Sequence, residues 1–245
     1  MSEGPVRALL LEQIHPDAAE ILRAAGMDVE TLDRALDEDE LIERLRGVSL
    51  LGIRSKTQVS AAVLDAAESL VAVGAFCIGT NQIDLAAASA RGVTVFNAPF
   101  SNTRSVVELA IAEIIAMTRR LTEKNELMHA GVWDKSATGA HEVRGRTLGI
   151  VGYGNIGTQL STLAEAMSMR VLFYDHTDKL RHGNTEPTET LRDLLAQSDV
   201  VSLHVPETDS TANMIGEAEI RAMKPGAFLI NNARGTVVDL DALAR

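Results

Sequence analysis

Two α/β domains in succession, each a doubly wound parallel sheet, are what this sequence predicts. Three observations carry the prediction. Short apolar runs alternate with amphipathic helical stretches along the whole chain. The runs are nearly continuous in apolar residues, as in strands buried on both faces. One of them leads directly into a glycine-rich turn and a helix.

In the first hundred residues, "VRALLL" (6–11) reads as a buried strand. "HPDAAEILRAAG" follows as a helix closed by Gly26. "DEDELIERLRG" is a second amphipathic helix ending at Gly47, and "VSLLGIRS" is the next strand. "SAAVLDAAESL" makes a helix capped by Ser60. "VAVGAF", a helix through "DLAAASARG", and "VTVFNAP" complete the series. Pro99 and the polar "SNTRS" mark a boundary, giving domains over 1–100 and 101–245. "SVVELAIAEIIAMTRRLTEKNELMHAG" then reads as one long helix, with Val106, Leu109, Ala110, Ile114 and Met117 at helical spacing. "GVWDKSATGAHEVRG" is a loop. A second series of strands and helices follows in "RTLGIVGYG", "MRVLFYD", "ETLRDLLAQS", "DVVSLHVP", "EAEIRAMKPG" and "AFLINNARG".

Composition bounds the function. The chain of 245 residues is 46% hydrophobic and 23% charged, a globular balance. A net charge of −11 argues against nucleic acid, because no basic surface neutralises a run of phosphates. A small anion remains compatible, since one arginine or a helix N-terminus dominates locally. The single cysteine, Cys77, permits no intrachain disulfide and suits a reducing cytoplasm. The N-terminus lacks the pattern of a signal peptide, and no apolar run approaches the ~20 residues that span a bilayer. The sequence calls for no metal.

The glycine turn is the most specific motif. "TLGIVGYGNIG" sets an apolar strand before Gly152, Gly154 and Gly157, and "TQLSTLAEAM" continues as a helix. Gly152 permits the tight turn, Gly154 lets backbone approach a pyrophosphate, and Gly157 lets helix and strand pack closely. A second strand, "VLFYD", ends at Asp175, whose carboxylate accepts hydrogen bonds from ribose hydroxyls and repels a 2′-phosphate. This is a Rossmann fingerprint and favours NAD over NADP.

With these motifs, and with "FCIGTNQIDLAAA", "RGVTVFNAPFSNTRSVVELAI", "DVVSLHVPET" and "MKPGAFLINNARGTVVD", the chain resembles the D-2-hydroxyacid dehydrogenases from "IRSKT" onward. The resemblance implies a flavodoxin-like substrate (catalytic) domain, an NAD-binding Rossmann domain, and an active site in the cleft between them. It implies NAD-dependent oxidation of 3-phospho-D-glycerate to 3-phosphohydroxypyruvate, a step of serine biosynthesis. Arg54, Ser55 and Lys56 become contacts for the substrate's carboxylate and phosphate, with Ile78 and Gly79 forming a carboxylate-holding turn and Asn102 reaching substrate. From the residues alone, Arg54 to Lys56 read equally well as a solvated strand terminus.

The resemblance maps the pyrophosphate turn onto Asn155 and Ile156 and sets His204, Val205 and Pro206 beside the cofactor. It brings Asn232, Ala233 and Arg234 to the nicotinamide end and makes Arg234 the catalytic arginine. "NNARG" departs from the relatives' frequent "NASRG", which bears on Asn232 and Ala233. Cys77 reads as a packing residue. Trp133, in the loop between domains, is expected to touch a neighbouring subunit, so a homo-oligomer follows.

In family members a histidine base and the glutamate that orients it lie downstream of the arginine motif. Neither motif occurs before the sequence stops at Arg245, nor do the last strands of the Rossmann sheet. The chain alone is therefore expected to be a fragment that turns over little or nothing. Two other readings are open: a non-catalytic NAD-sensing binding module, and a dehydrogenase for another 2-hydroxy acid such as 2-hydroxyglutarate or glycerate.

Overall fold

The computed structural model, which describes residues 5–245, divides into two compact units, one ending at Asn102 and one running from Thr103 to Arg245. In the first unit, strands β1 (Arg7–Leu10), β2 (Asp28–Thr31), β3 (Leu50–Ile53), β4 (Ala72–Ala75) and β5 (Thr94–Asn97) form one sheet in the order β2-β1-β3-β4-β5. Every pairing is parallel. This is the flavodoxin-like order. Four helices connect the strands: α1 (Pro16–Ala24), α2 (Glu38–Arg44), α3 (Ala61–Ala66) and α4 (Leu85–Ala90).

Period-two alternation along β1 builds two cores. Leu9 and Leu11 pack with Leu41, Leu45, Leu51 and Ile53 on one face, while Ala8 and Leu10 pack with Ala19 and Val29 on the other. Ser60 caps α3, its Oγ accepting from Val63 N–H at 3.3 Å. The sequence reading missed β2. Only Val29 is buried in that strand, and Asp28, Glu30 and Thr31 give it the polar face of a sheet edge.

The second unit opens with α5 (Thr103–Thr118) and α6 (Leu121–His129). Its strands are β6 (Thr147–Val151), β7 (Arg170–Tyr174), β8 (Glu186–Pro187), β9 (Val200–Leu203) and β10 (Phe228–Asn231). The helices α7 (Asn155–Ala166), α8 (Leu191–Gln197), α9 (Glu217–Ala222) and α10 (Leu240–Ala244) complete it. The sheet runs β10-β9-β6-β7-β8, all parallel, which is Rossmann order. Leu148 and Ile150 of β6 face a core shared with α5 and α7, while Val151 faces the core beneath α8. Gly149 keeps that second face close, because a Cβ there would stand 2.2 Å from Ser198 Oγ and 2.5 Å from Leu194.

Three expectations change. The long helix is two helices, broken where Arg120 takes a left-handed φ of 55° and Thr118 Oγ1 donates back to the Ile114 carbonyl at 2.6 Å. The buried stripe of α5 is Thr103, Val107, Ala110, Ile114 and Thr118, so Val107 replaces Val106, Met117 is only partly buried, and Leu109 is 50% exposed. Trp133 follows α6 inside the second unit rather than lying between the two.

Candidate functional site

The cofactor end of the second unit sits where the chain switches sides of the sheet, at the carboxyl ends of β6 and β9. The two strand ends are tied by the His204 N–H, which donates to the Val151 carbonyl at 2.8 Å. Their closeness explains Gly152. Its φ is 93°, and a Cβ would lie 2.5 Å from the His204 carbonyl oxygen. Gly157 is equally constrained, since its Cβ would meet the Gly152 carbonyl oxygen at 2.4 Å. Gly154 differs: a Cβ there would find nothing within 4 Å. Protein packing does not require that glycine, and its missing Cβ leaves the backbone there open to close approach.

α7 begins at Gly154 without a side-chain cap. α1, α2, α3, α4, α8 and α10 are each capped by a side chain. The first N–H groups of α7, at Asn155 and Ile156, have no acceptor among the described residues, and the helix dipole makes that end favourable to an anion. Asn155 is exposed and Ile156 half-buried.

Asp175, just past β7, has a side chain only 8% exposed. Its Oδ2 accepts from Tyr153 N–H at 2.9 Å, and its Oδ1 from Thr177 N–H at 3.0 Å and Thr177 Oγ1 at 2.9 Å. Burial pushes its pKa up, but these bonds and Lys179 outweigh burial and hold it below the ordinary carboxylate value. The ionised carboxylate is thus fixed beside the glycine turn. Tyr153, between Gly152 and Gly154, carries no sequence signal of its own. Its ring is buried, stacks on Phe173 with centroids 3.9 Å apart, and its hydroxyl lies 3.0 Å from Ser161 Oγ.

His204 Nε2 lies 2.9 Å from Ser202 Oγ, and Nδ1 is buried without a partner among the described residues. Burial lowers its pKa to about 4, so the ring is neutral at pH 7. Val205 is half-buried beside it, and Pro206 is exposed.

The arginine loop after β10 is braced internally. Asn231 Nδ2 donates to the Arg234 carbonyl at 2.8 Å, and Asn231 Oδ1 accepts from Ala233 N–H at 3.1 Å. Asn232 Nδ2 donates to Glu113 Oε2 on α5 at 2.7 Å. Arg234 is exposed, with no carboxylate partner among the described residues. The bracing by Asn231 and Glu113 could not be read from spacing, because it depends on how the turn folds and which face of α5 meets it.

In the first unit, Arg54, Ser55 and Lys56 are exposed on the loop after β3. That loop is tied to the turn after β4. Gln82 Nε2 donates to the Arg54 carbonyl at 2.7 Å and lies 3.3 Å from the Gly79 carbonyl oxygen. The Cys77 thiol lies 3.4 Å from the Arg54 carbonyl oxygen and 3.2 Å from that of Gly79, a linking rather than a reactive position. Asn97 Nδ2 donates to the Ile78 carbonyl at 2.8 Å. The N–H groups of Ile78 and Gly79 have no acceptor among the described residues. Asn102 is exposed in the turn after β5. The structure thus brings residues 54–56 and 78–79 to one end of the sheet. No group of His, Cys, Asp and Glu among the described residues forms a metal site, and none of the described helices is long and apolar enough to cross a membrane.

Comparison with known proteins matches this geometry. Residues 111–245 fit the family model described as D-isomer specific 2-hydroxyacid dehydrogenase, NAD binding domain. A D-3-phosphoglycerate dehydrogenase of Haemophilus influenzae is 52% identical over 246 residues, covering 100% of this chain and 60% of that protein. One from Escherichia coli K12 is 54% identical over 244 residues, covering 99% and 60%. The chain therefore spans about 60% of the length of these curated relatives. A solved protein from Thermus thermophilus superposes with a TM-score of 0.90 at 33% identity, over 97% of this chain and 77% of that one. The chain belongs to the D-isomer specific 2-hydroxyacid dehydrogenases, and its second unit carries their NAD-binding domain.

Proposed function

We propose that this chain binds NAD and 3-phospho-D-glycerate, as part of an enzyme that oxidises the C2 hydroxyl to give 3-phosphohydroxypyruvate for serine biosynthesis. One observation carries the choice of a doubly anionic acid, and the names of the curated relatives make its second group a phosphate. The first unit holds two anion receptors side by side, the exposed cations Arg54 and Lys56 and the unpartnered N–H groups of Ile78 and Gly79. A substrate with a carboxylate and a phosphate fills both, and an acid with a single anionic group fills one. The N–H pair takes the carboxylate, Arg54, Ser55 and Lys56 take the phosphate, and Asn102 reaches the acid from the turn after β5. The names of the curated relatives support the same acid.

In the second unit the turn of Gly152, Gly154, Asn155, Ile156 and Gly157 holds the pyrophosphate, and Asp175 accepts the ribose hydroxyls. His204, Val205 and Pro206 line the cofactor, and Asn232 and Ala233 carry its nicotinamide end. Bound there, NAD would accept the hydride leaving C2, and the hydroxyl proton would pass to a separate base. Arg234 stabilises negative charge at the reacting oxygen, in the manner of a charge-assisted hydrogen bond. A pKa near 4 makes His204 a weak proton acceptor, so its part is binding. We also place the protein in the cytoplasm, where its lone thiol stays reduced. We assign the exposed Trp133, Val132 and Met128 to a homo-oligomer contact.

Calorimetric titration of 3-phosphoglycerate into the NADH-saturated chain tests the reading. We expect binding about tenfold or more tighter than that of glycerate, as a second charge-assisted contact gives. Binding of NADH with none of the acids would point instead to a dinucleotide-sensing module.

A further inference from the structure

The proposed chemistry leaves one buried carboxylate in the first unit unused. Glu12 follows β1 and is 8% exposed, in a core otherwise built mainly from aliphatic side chains. Its backbone is left-handed at φ 62°, and Gln13 follows at 55°. Non-glycine residues reach that region only at a cost, which persists where the surroundings demand it. The demand is visible. Glu12 Oε1 accepts from the N–H groups of Thr57 at 2.8 Å and Arg54 at 3.2 Å, and Oε2 from that of Lys56 at 3.0 Å. Burial pushes the pKa of Glu12 up, but contacts from Thr57, Lys56 and Arg54 outweigh it and hold the group below its ordinary value.

Its place in the fold gives the carboxylate a meaning. In a sheet ordered β2-β1-β3-β4-β5, the ligand crevice opens between the carboxyl ends of β1 and β3. Glu12 lies just past β1 and its three donors just past β3. Converging backbone N–H groups make an anion nest, and here the nest is filled from within. An external anion meets the side chains of Arg54, Ser55 and Lys56 instead of these three N–H groups.

We propose that Glu12 is a positioning residue: its carboxylate stands in for a bound anion in the β1–β3 crevice and sets the loop conformation that presents Arg54, Ser55 and Lys56 to the phosphorylated hydroxy acid. The proposal rests on the substrate reading above, and its test separates the two.

Two variants of the full chain are compared with the parent, Glu12→Gln and Glu12→Gly. Glycine accepts the left-handed φ without strain and leaves a carboxylate-sized gap. Amide exchange of residues 54, 56 and 57, 3-phosphoglycerate affinity and NADH affinity are measured with and without added formate. In both variants those three amides should exchange about tenfold or more faster, and the acid should bind about tenfold or more weaker, as loss of charge-assisted bonds requires. Amides of β1 and β3 and the NADH affinity should hold. Formate should restore the glycine variant and leave the parent unchanged. Parent-like exchange and affinity in the glycine variant would overturn the proposal. So would a loss of β1 and β3 protection that formate does not repair, because Glu12 would then only hold the fold. If the parent binds no 3-phosphoglycerate, the substrate reading falls, and amide exchange with formate rescue still decides the role of Glu12.

Discussion

At the scale of single residues, the glycines of one motif face two kinds of constraint, and substitution of Gly157 and Gly154 separates them. Gly157→Ala drives a Cβ against the Gly152 carbonyl oxygen, 2.4 Å away. We expect it to destabilise the second unit by about 1–3 kcal/mol in chemical denaturation. Gly154→Ala meets nothing within 4 Å. It should leave stability within about 0.5 kcal/mol of the parent yet weaken NADH binding about tenfold or more, since it removes the close backbone approach. Equal losses of stability in the two variants would remove the distinction. The motif was legible because glycine's missing Cβ is itself the geometric information. Glu12 and Gln82 were not, because nothing local marks a polar loop residue as buried. Their burial comes from partners far along the chain, Glu12 from Arg54 to Thr57 and Gln82 from the Arg54 carbonyl.

At the scale of elements, hydrophobic pattern found the central strands and one edge of each sheet, and left out the other edge, β2 and β8. β2 buries one side chain and β8, Glu186–Pro187, buries none. Neither carries the apolar run that marks a strand covered on both faces. α5 shows the opposite difficulty. It is apolar almost all round, so periodicity alone did not say which stripe faces the sheet or that the helix ends at Thr118. Ile114→Ala should cost about 2–5 kcal/mol in urea unfolding, because the side chain is fully buried between α5 and the sheet. Leu109→Ala, on the exposed stripe, should change stability by less than about 0.5 kcal/mol. Similar costs at the two positions would contradict the assigned face.

At the scale of the whole molecule, the strand alternation and the glycine turn pointed to two doubly wound parallel sheets, while the strand orders and the bracing of the loops had to be seen in three dimensions. Stability should follow pH in a defined direction. Glu12, Asp175 and Asp199 all have lowered pKa values, with burial outweighed by hydrogen bonds and nearby cations. The stability they add is therefore full above the ordinary carboxylate range and is lost as pH falls through their folded-state values. His204, lowered from 6.5 to about 4, subtracts further as pH drops across that interval, because only the unfolded chain takes up the proton. Denaturant midpoints measured from pH 7 to 4 should fall steadily, and a rise on acidification would contradict these assignments. The central claim is that the turn after β6 and the carboxylate of Asp175 form an NAD site, and the most direct test is to titrate NADH and NADPH into the 245-residue chain. Nicotinamide fluorescence should report NADH binding about tenfold or more tighter than NADPH, since the ionised Asp175 repels a 2′-phosphate. Equal affinity for the two, or no binding of either, would contradict the account.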